Sequence, residues 1–368
     1  MPSKVYFADL RARSGRNILD KLRTLYDAAG LGGCVGEGDL VAVKLHAGEM
    51  GNLAVLRPPL VRTVVERVKE TGGKPFLTDA NTLYVGSRSN AVDHIQAAAA
   101  SGYTVETVGA PFLVADGLLG KDAVSVKTPG ELGEVKIAAA LVQADALIVL
   151  THFKCHDEAG FGGVLKNLGM GGASRAGKLV QHAQAKPEAD AEICTGCRRC
   201  ARYCPSGAIS YDTEGKIRID SGACIGCGEC IITCNFGAIS INWGASDKLQ
   251  RRMVEHAAGL TLAKPGKCGY ISFVIDVSPN CDCWTHNDAP IVPDIGMLAS
   301  LDPVALDQAC ADLVKAAPSL LGSEKAEEMG AGKDKFRVLY PNADWTIQLK
   351  YAEELGVGTR EYEMVKMT

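Results

Sequence analysis

The sequence predicts an α/β protein, in which a mainly parallel sheet domain is interrupted by a small α+β module. Two observations predict the sheet. Strand-like and helix-like stretches alternate along the chain on both sides of a central segment. The strand-like stretches are also continuously apolar, which is typical of strands that are buried on both faces. A third observation, a cysteine motif that occurs twice in the central segment, predicts the module.

The first part of the chain contains the predicted elements in alternation. Pro58 and Pro59 mark the start of the second helix, because the missing N–H of proline would be unpaired there anyway. In sheets of this kind the ligand crevice lies beyond the carboxyl ends of the strands. Strands are predicted over residues 4–8, 39–46, 74–79, 103–108, 122–127 and 145–151, and helices over residues 18–25, 57–68, 90–100 and 137–143.

The segment from His152 to Pro187 is rich in glycine and too long for an ordinary connector. Segments of this kind are usually functional, so we predict a functional loop or a lid over a substrate. Pro187 and the polar residues 188–192 that follow it are predicted to form a linker.

Alternation of strands and helices resumes after residue 243. A helix is predicted over residues 247–259 with Ser246 as its N-cap, and a later helix starts at Asp302. The other predicted elements are strands over residues 269–277, 294–300 and 336–340 and helices over residues 323–329 and 345–355. We therefore predict that residues 1–187 and 243–368 form one domain with residues 188–242 inserted. A chain of three domains is the alternative.

Composition excludes several classes of protein. With 368 residues, 47% hydrophobic residues, 22% charged residues and a net charge of -4, the chain is an ordinary globular protein without the charge excess that favours nucleic acids or membrane surfaces. Its N-terminus lacks a signal-peptide pattern, and no apolar run reaches the length of a membrane span. The chain has 14 cysteines, and we expect a cytoplasmic protein in which cysteines serve as metal ligands rather than in disulfides.

The central segment contains the same cysteine motif twice, at an offset of 30 residues. The copies read CTGCRRCARYCPSGAIS and CIGCGECIITCNFGAIS. Spacing of the form C-x2-C-x2-C-x3-C is that of bacterial iron–sulfur proteins, in which the fourth cysteine of each run ligates the other cluster. The motif predicts a ferredoxin-like module with two [4Fe-4S] clusters. Cluster I is assigned to Cys194, Cys197, Cys200 and Cys234, and cluster II to Cys224, Cys227, Cys230 and Cys204.

Zinc is the alternative for this motif, because pairs of cysteines at C-x2-C spacing also bind zinc. Two interlocked quartets favour iron–sulfur clusters over zinc. The first copy also contains Arg198, Arg199 and Arg202, where the second has Gly228, Glu229 and Ile232. Positive charge favours the reduced, more negative form of a cluster, so we predict the higher reduction potential for cluster I.

Polar residues follow three of the predicted strands, at the positions where the ligand crevice is expected. Lys166 and Asn167, after several glycines, are similar to an anion-binding loop that precedes a helix. A small anionic ligand with a carboxylate or phosphate group would suit the lysines. The catalytic candidates are His46, His152, Lys154, His156 and Lys166, and the ligand-binding candidates are Lys44, Glu49, Asp79, Asn81 and Asn167.

The alternative is that these residues have structural roles. We interpret His94 and His182 as structural histidines. Cys281 and Cys283 form a C-x-C pair that predicts an additional metal, with Cys155 or His156 as a further ligand. A redox-active pair and a purely structural pair are the alternatives. Three cysteines without a partner pattern are predicted to be structural: Cys34, Cys268 and Cys310.

Several stretches together carry a family resemblance: KLHAGEMGN (44–52), RP (57–58), FLTDANTLY (76–84), NAVDHI (90–95), HFKCHDEAGFGGVLKNLGMG (152–171), CDCW (281–284) and DIGMLASLDPVALDQA (294–309). By these residues the chain resembles the iron–sulfur proteins that contain the domain of unknown function 362, in which a ferredoxin-like pair of motifs interrupts an α/β domain. The resemblance implies a redox-associated protein without a settled reaction. The N-terminal strand–loop–helix pattern is also loosely similar to lactate racemase-type enzymes, as an analogy of fold.

These observations predict an iron–sulfur electron-transfer protein or a component of an oxidoreductase. Single electrons would pass from a redox partner protein through two [4Fe-4S] clusters towards a pocket for a small-molecule substrate in the α/β domain. Two alternatives belong to other classes. One is a pure electron carrier whose α/β domain docks a partner, and the other is a metal-delivery or maturation factor that uses Cys281 and Cys283.

Overall fold

The structure is a computed structural model that describes residues 2–84, 86–182, 187–204, 206–224, 229–234, 236–241 and 247–367. The predicted cluster ligand Cys227 and the predicted helix cap Ser246 lie outside the described residues. The strands are β1 (Ser3–Asp9), β2 (Leu40–Lys44), β3 (Lys74–Asp79), β4 (Phe112–Val114), β5 (Ala123–Lys127), β6 (Glu134–Ala138), β7 (Ala146–His152), β8 (Lys154–His156), β9 (Gly160–Gly162), β10 (Pro187–Ala189), β11 (Ile209–Tyr211), β12 (Ile217–Ile219), β13 (Ile239–Ile241), β14 (Cys268–Val274), β15 (Gly296–Ser300) and β16 (Tyr362–Lys366).

Helices separate most of these strands, and a 3₁₀ turn covers Leu31–Cys34. The helices are α1 (Ile18–Ala28), α2 (Pro58–Glu70), α3 (Ala91–Ala100), α4 (Val105–Val108), α5 (Ala139–Gln143), α6 (Val164–Gly169), α7 (Arg175–His182), α8 (Arg199–Arg202), α9 (Glu229–Thr233), α10 (Asp247–Leu262), α11 (Pro303–Ala316), α12 (Lys335–Leu339) and α13 (Thr346–Glu354). Among the helices of the described residues, none combines the length and the apolar character needed to cross a bilayer.

Eight strands form one central sheet in the order β16-β1-β15-β14-β7-β2-β3-β4. Neighbouring strands are parallel except at β15, which is antiparallel to both β1 and β14. The prediction of an α/β protein with a mainly parallel sheet is therefore confirmed. The sheet takes strands from both sides of the central segment, while the exact division into domains stays a prediction.

Alternate residues of the strands point to opposite faces of the sheet, and helices cover both faces. In β7, Leu147 and Val149 pack with residues of α6, α10, α11 and α13. Ile148 and Leu150 of the same strand pack on the other face with residues of α1 and α2. Burial on both faces explains why these strands are apolar without alternation in the sequence.

The helix starts follow from side chains that accept hydrogen bonds from the first backbone N–H groups. Asn17 caps α1 in a capping box with Asp20, and Asn90 caps α3. Asp302 caps α11, where Pro303 occupies the first turn. Each of these helices begins within a residue of its predicted start.

Three predicted elements are wrong. Residues 103–108 contain the short helix α4 instead of a strand, because the hydroxyls of Thr104 and Thr107 make a capping box. Residues 336–340 belong to α12 instead of a strand, since the Asp334 carboxylate accepts a hydrogen bond from the backbone N–H of Arg337. Residues 323–329 form turns instead of a helix.

The doubled sequence motif corresponds to a doubled local structure. Helix α8 of the first copy lies against α9 of the second. Strand β10 pairs with β13, and β11 pairs with β12, both antiparallel. The residues predicted as a linker thus begin with a paired strand. The segment from His152 to Pro187, predicted as a loop or lid, contains the hairpin β8–β9 and the helices α6 and α7, and most of its described residues are buried.

Candidate functional site

A cavity of about 540 Å³ lies at the carboxyl ends of the parallel strands. This is the position that the fold predicts for a ligand site. Seven of the ten predicted site residues line the cavity: His46, Glu49, Asp79, Lys154, His156, Lys166 and Asn167. The other three, Lys44, Asn81 and His152, are buried in the surrounding structure.

Asp79, at the end of β3, is the centre of a buried ion-pair network. Its carboxylate lies 3.0 Å from Nζ of Lys44 and 3.3 Å from Nη1 of Arg88. Nε2 of His94 is 3.8 Å away, which agrees with the structural role predicted for this histidine. Burial alone would raise the pKa of Asp79, but the charge of Lys44 and the nearby ring of His94 hold it well below its usual value. Asp79 is therefore a fixed anion.

Lys44 and Asn167 connect this network to the helix behind the cavity. Lys44 donates to Oδ1 of Asn167 at 2.7 Å, and Nδ2 of Asn167 donates to the carbonyl of Leu150 and the hydroxyl of Thr151, both at 3.0 Å. These bonds use the polar atoms of both side chains. We therefore assign Lys44 and Asn167 to positioning rather than to ligand binding.

Glu49 belongs to a second network, which the sequence did not reveal. Its carboxylate accepts hydrogen bonds from Nε of Arg88 at 3.1 Å, from the Tyr84 hydroxyl at 3.3 Å, and from Ser87. The Tyr84 hydroxyl also lies 3.0 Å from the carbonyl of Cys283. Arg88 therefore joins the two acidic residues Glu49 and Asp79, and Tyr84 joins them to the loop that follows β14.

Asp282 fixes the loop that carries the C-x-C pair. Its carboxylate lies 2.9 Å from Nδ1 of His152 and 2.9 Å from Nζ of Lys154. Nε2 of His152 faces the carbonyl of Ile275 at 2.9 Å. Because both ring nitrogens face acceptors, His152 has none left for a proton transfer or a metal. The prediction of a catalytic role for His152 is replaced by a positioning role.

His156, Cys281 and Cys283 converge at one wall of the cavity. One potential ligand atom from each lies within 4.8 Å of the others. Nζ of Lys166 is 3.4 Å from Sγ of Cys281. A hydrogen bond from Cys283, together with the charge of Lys166 acting against burial, holds the pKa of Cys281 well below its usual range. The same hydrogen bond raises the pKa of Cys283.

The predicted anion-binding loop before α6 is wrong, because a side chain of the protein already occupies that position. The carboxylate of Asp307 accepts hydrogen bonds from the backbone N–H of Val164 at 2.7 Å and of Leu165 at 2.9 Å. Burial raises the pKa of Asp307 to about 7. The side chain of Lys166 instead points to Cys281.

Lys178 and His182 also line the cavity, and the buried Asp116 interacts with Lys178. Burial lowers the pKa of Lys178 to about 8, although the charge of Asp116 opposes this shift. Burial also raises the pKa of Asp116 to about 6 and lowers that of His182 to about 3. His46 also lines the cavity, and its Nδ1 accepts a hydrogen bond from the backbone N–H of Gly48 at 3.0 Å. Burial lowers the pKa of His46 well below the usual value. Its neutral ring can therefore donate from Nε2 into the cavity.

The thiols of the doubled motif form a separate group. Cys194, Cys197, Cys200 and Cys234 line one small cavity, together with Arg199. Sγ of Cys200 lies 3.1 Å from the Tyr211 hydroxyl, and Arg198 stacks 5.4 Å from the centre of that ring. The backbone N–H of Gly196 points to Sγ of Cys194 at 3.4 Å, and that of Ala208 to Sγ of Cys204 at 3.3 Å.

This module shares an apolar cluster with the wall of the larger cavity. Leu83 and Leu179 pack in the same cluster as Cys200 and Cys230. Leu83 lines the larger cavity, and Leu179 follows Lys178, which lines it as well. Packed apolar side chains therefore connect the module to one wall of the larger cavity. The three cysteines predicted to be structural, Cys34, Cys268 and Cys310, are buried away from the cavity lining, and burial raises the pKa of each.

Comparison with known proteins gives a family and two similar structures. The family model described as Domain of unknown function (DUF362) matches residues 41–312. No curated protein matches the chain. The lactate racemase apoprotein from Thermoanaerobacterium thermosaccharolyticum is similar at a TM-score of 0.38 and 14% identity, over 74% of this chain and 51% of that one. A protein from Thermotoga maritima is similar at a TM-score of 0.38 and 12% identity, over 73% of this chain and 51% of that one. The chain spans about half the length of each.

Proposed function

The chain belongs to the family described as Domain of unknown function (DUF362), and we propose that it is an iron–sulfur electron-transfer protein or a component of an oxidoreductase. It would hold two [4Fe-4S] clusters and serve the cavity at the carboxyl ends of the sheet. The observation that carries this proposal is the group of four thiols around one small cavity, with three from the first copy of the motif and Cys234 from the second.

That group has the crossed arrangement of two-cluster modules, in which the fourth cysteine of one run serves the other cluster. Cys194, Cys197, Cys200 and Cys234 would hold cluster I. The described residues Cys204, Cys224 and Cys230, with Cys227, would hold cluster II. When bound, clusters of this type exchange single electrons.

The residues around the thiols suit the same role. Backbone N–H groups point to Sγ of Cys194 and Cys204, and such hydrogen bonds stabilise the charge of cluster ligands. Isoleucines and other apolar side chains of the module exclude water from the buried thiols. The shared apolar cluster with Leu83 and Leu179 supports a destination for the electrons in the larger cavity.

Metal and sulfide analysis of anaerobically purified protein tests the proposal. We expect about eight iron and about eight acid-labile sulfide per chain, since each cluster contains four of each. After reduction, the electron paramagnetic resonance spectrum should show two spin-coupled clusters. Zinc at the cysteines without sulfide, or a chain with one cluster, would exclude the two-cluster protein.

Replacement of Tyr211 by phenylalanine should lower the reduction potential of cluster I by about 20–60 mV. A cluster-bound Cys200 has no proton, so the Tyr211 hydroxyl must be the donor in their hydrogen bond. This bond stabilises the reduced form of the cluster. A hydrogen bond contributes about 0.5–1.5 kcal/mol, and about 1.4 kcal/mol corresponds to 59 mV for one electron. Redox titration measures both potentials.

The second copy of the motif has Ile241 at the equivalent position, so cluster II should keep its potential. Tyr203→Phe is the matched control, because this tyrosine of the same module is 52% exposed. An equal change in both variants, or an unchanged potential in Tyr211→Phe, would show that the hydroxyl has no such effect.

A further inference from the structure

We propose that His156, Cys281 and Cys283 bind one divalent metal ion, with Zn²⁺ as the best-fitting cation, at the wall of the larger cavity. The site is distinct from the eight cysteines of the doubled motif, and the proposal does not depend on their role. Two thiolates and an imidazole are the ligands that zinc prefers. Their potential ligand atoms already lie within 4.8 Å of one another.

These distances suit a mononuclear site. With zinc–sulfur bonds of about 2.3 Å and zinc–nitrogen bonds of about 2.0–2.1 Å, tetrahedral ligands are about 3.5–3.8 Å apart. A metal would therefore draw the three atoms together by only about 1 Å. The ligands come from two elements, since His156 ends β8 and the cysteines lie in the loop after β14.

Asp282 holds this loop in place between the two thiols. Its ion pairs with His152 and Lys154 fix the residue between Cys281 and Cys283. The backbone carbonyl of Asp282 also accepts the N–H of Glu49 at 3.0 Å. The two thiol groups, separated by this one anchored residue, are thus presented together before any metal binds.

His156 has the second partner that metal-binding histidines usually have. Its Nδ1 lies 3.3 Å from the carboxylate of Asp157 and accepts the backbone N–H groups of Glu158 at 3.1 Å and of Ala159 at 3.2 Å. Nε2 is the ring nitrogen that remains for a metal. Binding there would move the ring proton to Nδ1, which would then donate to the Asp157 carboxylate and lose the two backbone hydrogen bonds that it now accepts.

Three protein ligands leave a fourth position that opens into the cavity, which is the pattern of catalytic zinc sites. Two thiolates balance the charge of the metal, and Lys166 adds a positive charge 3.4 Å from Sγ of Cys281. The side chains of Lys154 and Lys166 both pass close to Gly162, since a Cβ atom placed on this glycine would lie 3.3 Å from each of them. An oxygen anion such as the carboxylate of a small molecule suits this fourth position.

Burial favours a resident metal over one that is passed to a client. Cys281 is only 1% exposed, and His156 is 3% exposed. The alternative of a metal-delivery factor would need ligands that a partner can reach. The residues of this site instead face a cavity that a small molecule can enter.

Equilibrium dialysis against Zn²⁺, with zinc and iron measured together, tests the site in the full chain. We expect about one bound zinc per chain, with two sulfur atoms and one nitrogen atom in its X-ray absorption spectrum. The double variant Cys281→Ser/Cys283→Ser should lose this zinc while keeping the iron content of the wild type. Asp157→Asn should weaken zinc binding about tenfold, as loss of such a partner usually does.

Cys34→Ser is the matched control, because this buried thiol lies outside the cavity lining and should leave the zinc in place. Unchanged zinc in the double variant would move the metal elsewhere and overturn the proposal. The proposal would also be overturned if protein with both thiols reduced bound no zinc.

A second measurement tests the fourth coordination position. Acetate should bind the zinc-loaded protein more tightly than the zinc-free protein, and equal binding would exclude an anion at this position.

Discussion

Replacement of Cys234 by serine is expected to disrupt the same cluster as replacement of Cys200, although the two cysteines belong to different copies of the motif. Both thiols line one small cavity with Cys194 and Cys197. Each variant should fall from about eight to about four iron per chain, because one cluster of two is lost. The reduced spectra of the two variants should then be the same, with a single uncoupled cluster.

Cys204→Ser should give the complementary result. In the crossed arrangement Cys204 ligates cluster II, so this variant should retain cluster I and its spectrum. Cys268→Ser is the matched control, since this buried thiol lies outside the motif and should leave both clusters intact. If Cys204→Ser instead lost the same cluster as Cys200→Ser, and Cys234→Ser retained that cluster, each cluster would be held by its own copy of the motif.

The central sheet could be predicted because its signals are local. Continuous apolar strands such as β7 and side-chain caps such as Asn17 and Asp302 act within a few residues of the chain. The errors have the same origin. Residues 103–108 and 336–340 are apolar enough for strands, but short-range hydrogen bonds from threonine and aspartate side chains turn both into helices.

The candidate site could be predicted only in part, because its partners come from distant parts of the chain. Strand ends indicated His46, Asp79 and Lys154, all of which line the cavity. No local pattern indicated that Arg88 would join Asp79 to Glu49. The sequence offers both Cys155 and His156 as a further ligand of the C-x-C pair, and the fold brings the histidine to the two thiols.

The largest effect on stability is expected at Asp79, whose replacement by asparagine should lower the free energy of unfolding by about 3–5 kcal/mol. Lys44 is fully buried and Arg88 is 2% exposed, so the loss of the carboxylate charge leaves two cations without this partner away from water. Urea unfolding followed by tryptophan fluorescence measures the change. Glu66→Gln is the control, because its ion pairs with Arg62 and Arg23 are 36–50% exposed and should contribute at most about 1 kcal/mol each.

The free energies of unfolding of the wild type and of Asp79→Asn should differ by an amount that depends on pH, and this dependence identifies the charge of Asp79 as the cause. Because the pKa of Asp79 is held well below its unfolded value of 3.8, the ionised carboxylate contributes fully above about pH 4. That contribution is lost as the pH falls through the lowered pKa of the folded state. The difference between the wild type and Asp79→Asn should therefore be the same at pH 7 and pH 5, and narrow only below about pH 4. A difference that stays constant at lower pH would mean that asparagine disturbs packing rather than the balance of charge around Lys44 and Arg88.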